Sequence, residues 1–141
     1  MKVKVVCYVA KGDPEAVREA ATREAHGLLV QVADSRSASN EFFVEMLAAQ
    51  TTRAATSSNL IANKPAIDLL LRLAGTTQIS TAISKAGAKK GEPLLVILAG
   101  ESSQVTKVRV PPGWKRVPRR KLTAAERDRI EEAALLNAIR G

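Results

Sequence analysis

The sequence predicts an α/β fold: a single domain, residues 1–141, with a small mixed sheet, a βαβ start, a central helical bundle and a C-terminal helix. Three observations lead to this prediction. Val-, Leu- and Ile-rich runs at 2–10, 28–33 and 94–99 have the composition of strands. Segments between 41 and 86 repeat apolar residues at helical spacing, and a capping box begins at Thr123. The length of 141 residues suits one domain, and no internal repeat or linker divides it.

The composition is that of a globular protein without membrane contact. Hydrophobic residues make up 45% and charged residues 26%, whereas aromatic residues make up only 3%. No apolar run reaches the ~18 residues that a membrane span needs, and the N-terminus has strand chemistry in place of a signal peptide. One cysteine and one histidine argue against a disulfide or a structural metal site. We therefore expect a cytoplasmic protein with no metal and no cofactor.

The first third of the chain predicts a βαβ unit. After the strand at 2–10, Asp13-Pro14 begins a helix, with aspartate as the N-cap and proline at the first helical position. His26-Gly27 ends this helix, and 28–33 forms the next strand. Short connections of this kind predict a right-handed unit with parallel strands.

Three helices are predicted in the middle of the chain. Ser39 or Asn40 caps the first, and Pro65 begins the second, which ends at Gly75. Thr76 or Thr77 caps the third, whose apolar stripe is placed at positions 79, 82, 83 and 86. A buried strand follows at 94–99, and 105–110 is a candidate edge strand.

The positive charge is concentrated in the later part of the chain. Net charge is +8, and because residues 1–41 carry six bases and six acids, the excess lies entirely beyond Glu41. Between 107 and 121 there are seven basic residues and no acid. Such asymmetry is typical of a surface that binds nucleic acid phosphates, although a solvated basic loop has the same composition.

The C-terminal helix allows two interpretations. Thr123 and Glu126 form a capping box, and apolar residues then surround the last turns between Ala133 and Ile139. Such a segment is either inserted into the core of its own domain or offers one face to a partner protein.

The segment from Ser58 to Ala99 carries a family resemblance. Its centre is Leu69-Leu-Leu-Arg-Leu-Ala-Gly-Thr-Thr-Gln-Ile-Ser-Thr-Ala-Ile83, and the chain closes with Glu132-Ala-Ala-Leu-Leu-Asn137. Together these resemble the kinase-binding subunit of the KEOPS complex over about two-thirds of the chain. Two features depart from that pattern: Thr77 stands where members commonly carry arginine, and the basic, proline-rich stretch 110–121 replaces a more ordinary connection.

The resemblance implies a non-catalytic role. KEOPS installs threonylcarbamoyladenosine on tRNA, and this subunit would bind and activate the atypical kinase of the complex, contact the other subunits indirectly, and capture tRNA by its 3′ CCA end. The implied kinase interface consists of Ala134, Leu135, Leu136 and Ile139. The implied tRNA-binding residues are Lys64, Arg72, Thr76, Thr77, Gln78, Lys85, Lys89 and Lys90.

Two other function classes remain as alternatives. A basic RNA- or ribosome-binding accessory protein without a kinase partner would explain the charge equally well. An enzyme is disfavoured because the chain has neither Gly-x-x-x-x-Gly-Lys-Ser/Thr nor Gly-x-Gly-x-x-Gly, and has one histidine without a neighbouring carboxylate pair.

Overall fold

The computed structural model describes residues 3–139, except for the side chains of residues 138 and 139. Four strands form one sheet: β1 (Val3–Ala10), β2 (Leu29–Asp34), β3 (Leu94–Glu101) and β4 (Lys115–Arg116). The helices are α1 (Pro14–Glu24), α2 (Glu41–Thr56), α3 (Pro65–Ala74), α4 (Ile79–Ala86), α5 (Ser102–Val105), α6 (Ala124–Ala134) and α7 (Leu136–Ile139). The predicted α/β class is therefore confirmed.

The sheet differs from the predicted mixed sheet. Its order is β2-β3-β1-β4, and every neighbouring pair is antiparallel. β1 and β2 run in the same direction on either side of α1, as expected, but β3 lies between them. Since β3 is apolar at every position from Leu94 to Ala99, it needs cover on both faces and both edges, which only the middle of the sheet provides.

Helices cover the sheet on both faces, so the domain has three layers. On one face, Leu94, Val96 and Leu98 of β3 pack with α1 and α5. On the other face, Leu95 and Ile97 pack with α2, α3, α4 and the C-terminal helices. Alternating side chains of one strand therefore serve two separate cores.

Local signals determine most of the helix ends. Asp13 accepts a hydrogen bond from the Ala16 N–H at 3.1 Å, and Asn40 caps α2 in the same way. Gly75 ends α3 with φ of +73°, in the left-handed region that glycine adopts without strain. The capping box between Thr123 and Glu126 is present in both directions.

Two predicted elements are wrong. Residues 105–110 do not form a strand; α5 ends at Val105, and the edge strand is Lys115–Arg116. The N-cap of α4 is Gln78, not Thr76 or Thr77, and the Thr76 hydroxyl instead accepts a hydrogen bond from the Gln78 N–H at 3.1 Å. The first difference arises because residues 106–108 form turns: the N–H groups of Thr106, Lys107 and Val108 donate to the carbonyls of Ser102, Gln104 and Val105 and are not available to a strand ladder.

Candidate partner and nucleic-acid surfaces

The junction between α6 and α7 is the region expected to contact a protein partner. Ala134 is exposed, Leu135 is 62% exposed, and Leu136 is 5% exposed and lies in the core beneath α2 and α3. Leu136 is therefore a core residue, which corrects its assignment to the interface. The side chain of Ile139 lies outside the described part of the chain.

Helix α6 is held in place by polar contacts with α2 and α3. Gln50 donates to the Ile130 carbonyl at 2.9 Å, and Arg129 donates to the Leu73 carbonyl at 2.6 Å. The Arg129 guanidinium also lies 4.7 Å from the centre of the Phe43 ring. These contacts orient α6 and so determine where the exposed Leu135 points.

Arg72 also belongs to this framework and not to a nucleic-acid surface. It is 3% exposed, and its Nε lies 2.6 Å from Oδ1 of Asp68. Its guanidinium also donates to the Ala133 carbonyl at 3.0 Å and to Oδ1 of Asn137 at 2.9 Å. The expected role of Arg72 in binding tRNA phosphates is therefore wrong, because each of these donors faces an acceptor inside the fold.

The turn between α3 and α4 forms the second candidate surface. Thr76 and Thr77 are partly buried there, and Gln78 is exposed. Gln78 makes no side-chain cap at α4, and the N–H groups of the first turn donate to no acceptor among the described residues, at the positive end of the helix dipole. Ile79 and Ile83 lie one turn apart and are 49% and 54% exposed, whereas Ala82 and Ala86 are buried. The predicted stripe is thus divided, and its isoleucines remain on the surface.

The predicted lysines do not form one cluster with this turn. Lys64 and Lys85 are exposed, but Lys64 precedes α3 and is separated from the turn by the length of that ten-residue helix, about 15 Å. Lys90 is exposed in the loop before β3. Lys89 already forms an ion pair within the fold, since its Nζ lies 3.3 Å from Oδ2 of the buried Asp34.

The basic stretch at 107–121 is partly structural. Arg116 donates to both carboxylate oxygens of Glu41, at 2.5 and 2.9 Å, and Glu41 also accepts the Cys7 N–H at 2.9 Å. Glu41 thereby completes the edge of β1 beyond the two residues that β4 covers. Arg119 lies 2.7 Å from Glu45. Sequence reasoning missed these partners because they are 75 and 74 positions apart in the chain.

Other potentially reactive groups have plain structural roles. Burial and the nearby Glu41 charge raise the pKa of the Cys7 thiol well above its ordinary value, so Cys7 is unreactive.

Within residues 3–139, no group of three histidine, cysteine or acidic residues could hold a metal ion. In the same part of the chain, no helix is long and apolar enough to cross a membrane.

Comparison with known proteins adds no assignment. No protein-family model matches this chain, and no curated protein matches it. The functional argument therefore rests on the sequence pattern and on the surfaces described above.

Proposed function

We propose that this protein is a non-catalytic, cytoplasmic adaptor of the KEOPS type. It binds and activates an atypical kinase or ATPase through the α6–α7 junction, and it captures tRNA by the 3′ CCA end near the α3–α4 turn. The observation that carries the proposal is the coincidence of the family-like segment 69–83 with an uncapped helix start beside two exposed isoleucines. The exposed Leu135, at the C-cap of the anchored helix α6, supports a protein partner at the chain's other family-like segment.

The turn has suitable chemistry for a single-stranded RNA end. Backbone N–H groups at the start of α4 can donate to a phosphate, and the exposed Gln78 amide can both donate to and accept from a base edge. Ile79 and Ile83 offer an apolar surface to an unstacked base. Lys64, Lys85 and Lys90 are available to add long-range attraction, since they are exposed.

The first test compares intact tRNA with the same tRNA lacking its 3′ CCA in a gel-shift titration. We expect trimming to weaken binding at least about tenfold, and we expect affinity for intact tRNA to fall steeply with salt. Gln78→Ala should weaken the binding of intact tRNA and have little effect on trimmed tRNA. Equal affinity for both tRNAs would contradict the proposal for the 3′ end.

The alternative is a basic RNA- or ribosome-binding accessory protein without a kinase partner. The free cations of the 107–121 stretch favour it, because Lys107, Arg109, Lys115 and Lys121 take part in no ion pair among the described residues. The adaptor would be favoured if a kinase co-purifies with the parent protein and with the Ala16→Arg variant on α1 but not with the Leu135→Arg variant. RNA binding without any such partner would favour the accessory protein.

A further inference from the structure

A cleft lies at the end of the sheet where β1 and β4 meet the loop before β3. Its volume is about 500 Å³, within the usual range for ligand sites. The lining residues are Val9, Lys11, Pro93, Pro112, Gly113, Trp114 and Lys115. None of these residues belongs to the α3–α4 turn or the α6–α7 junction, so the cleft is a separate feature of the surface.

The aromatic wall of this cleft is held in a defined position. Gly113 has φ of +94°, and the Trp114 N–H donates to the Pro111 carbonyl at 3.4 Å, which closes a tight turn. The Trp114 ring lies 6.2 Å from the Tyr8 ring at an interplanar angle of 53°, and both residues pack against the core on the α1 side. Trp114 is only partly buried, so part of the indole remains available to a ligand.

The strand beside Trp114 is anchored independently of any ligand. Arg116 lies 5.9 Å from the centre of the Tyr8 ring and is held by both oxygens of Glu41. Val117 continues the attachment by donating its N–H to the Cys7 carbonyl at 2.9 Å. The cleft is therefore formed in advance, which lowers the cost of ordering it on binding.

The charge of the cleft is positive and uncompensated within its lining. Lys11 and Lys115 are exposed and take part in no ion pair or side-chain hydrogen bond among the described residues. Among the described residues no acidic side chain lines this cleft, whereas Asp13, Glu92 and Lys90 line a neighbouring depression that shares Lys11 and Pro93 with it. An anion is thus favoured on the Trp114 side.

We propose that this cleft binds an unpaired nucleotide of a single-stranded nucleic acid, with its base against Trp114 and its phosphates between Lys11 and Lys115. An indole face next to two proline rings suits the flat face of a base, and the flanking lysines suit the phosphates on either side of it. This site goes beyond the capture of a tRNA 3′ end, and its argument does not depend on a KEOPS partner.

Trp114 is the only tryptophan in the chain, so its fluorescence reports directly on the cleft. Titration with a short oligoadenylate should quench this fluorescence saturably. The double variant Lys11→Ala/Lys115→Ala should lower the affinity for oligoadenylate, measured by this quenching, about tenfold without changing the unfolding midpoint. Arg23→Ala/Arg127→Ala is the matched control, because it removes two exposed cations from α1 and α6, outside every proposed binding surface, and should leave the affinity within about threefold of the parent.

A second pair of variants separates stacking from packing. Trp114→Phe keeps an aromatic face, whereas Trp114→Leu keeps apolar volume only. With a labelled oligoadenylate followed by anisotropy, we expect Trp114→Leu to lose about tenfold in affinity and Trp114→Phe to lose less. Circular dichroism of both variants checks that the fold is retained.

Two results would overturn the proposal. One is oligoadenylate binding seen by anisotropy with no change in Trp114 fluorescence, which would place the nucleic acid elsewhere. The other is equal quenching by an oligoglutamate peptide, which would make the cleft a site for acidic peptides. The trimmed-tRNA comparison tests the α3–α4 turn through Gln78→Ala, whereas these two results concern the cleft at Trp114, so either proposal can fail without the other.

Discussion

The Arg72 guanidinium and the Asp68 carboxylate form an ion pair inside the domain, with Nε and Oδ1 2.6 Å apart. The two residues are one turn apart on α3, but their other partners come from distant segments. Asp68 accepts from the Thr51 hydroxyl at 2.6 Å and from the Ile61 N–H at 2.9 Å. Arg72 reaches the carbonyl of Ala133. This pair therefore joins α2, the loop before α3 and the C-terminal helix at one point.

Replacement of Arg72 should strongly destabilise the fold. Arg72→Leu leaves the Asp68 carboxylate buried without its cation, and we expect a loss of about 3–5 kcal/mol in the free energy of unfolding. Arg72→Lys keeps the charge but not the planar guanidinium that donates to several acceptors at once, so its loss in the free energy of unfolding should be intermediate. Urea titration checks both variants, with Lys64→Ala as the exposed control within about 0.5 kcal/mol. A fully stable Arg72→Leu would refute the structural role.

Adjacent leucines at the C-terminal junction should respond in opposite ways. Leu136→Ala removes a core side chain and should cost about 2–5 kcal/mol. Leu135→Arg alters an exposed residue, should change stability by no more than about 0.5 kcal/mol, and should abolish partner binding. Thermal unfolding measures the change in stability, and a pull-down with the proposed kinase partner measures the change in binding. An unfolded Leu135→Arg protein would mean that this residue is structural.

Asp34 should contribute to the loss of stability in acid. The Arg36 guanidinium that donates to its carboxylate, with help from Lys89, holds the pKa of Asp34 well below its ordinary value. A carboxyl pKa that is lower in the folded state than in the unfolded state stabilises the fold at any pH above the unfolded-state pKa of about 3.9. This stabilisation is lost as the pH falls from that value towards the folded-state pKa. The difference in unfolding free energy between the parent and Asp34→Asn should be full at pH 7 and shrink below about pH 4. A difference that is independent of pH would contradict this assignment.

Cys7 should be protected from alkylation in the folded protein. It is fully buried in β1, and burial raises the pKa of its thiol, so little thiolate forms at neutral pH. Iodoacetamide labelling followed by mass spectrometry should be slow in buffer and rapid in concentrated urea. Arg116→Ala removes a contact at the edge of β1 and should increase the native labelling rate. Rapid labelling of the parent protein in buffer would show that β1 is more accessible than its packing indicates.

Features that depend on neighbouring residues were predictable from the sequence alone. The N-cap at Asp13, the end of α3 at Gly75 and the capping box at Thr123 each follow from contacts within a few residues. The buried strand at 94–99 was predictable for a related reason, because a continuous apolar run must be covered on both faces.

Features that depend on distant partners were decided only by the tertiary structure. The pattern of Arg72 is that of any basic residue on a helix, and only the approach of α2 and α6 makes it a buried anchor. Leu135 and Leu136 have the same chemistry, yet the packing of α6 against α2 and α3 exposes one and buries the other. The position of β3 between β1 and β2, and the meeting of Trp114 with Lys11, are likewise long-range outcomes. The physical reason is that burial and charge pairing are properties of the assembled chain, whereas capping and turn geometry are properties of a few consecutive residues.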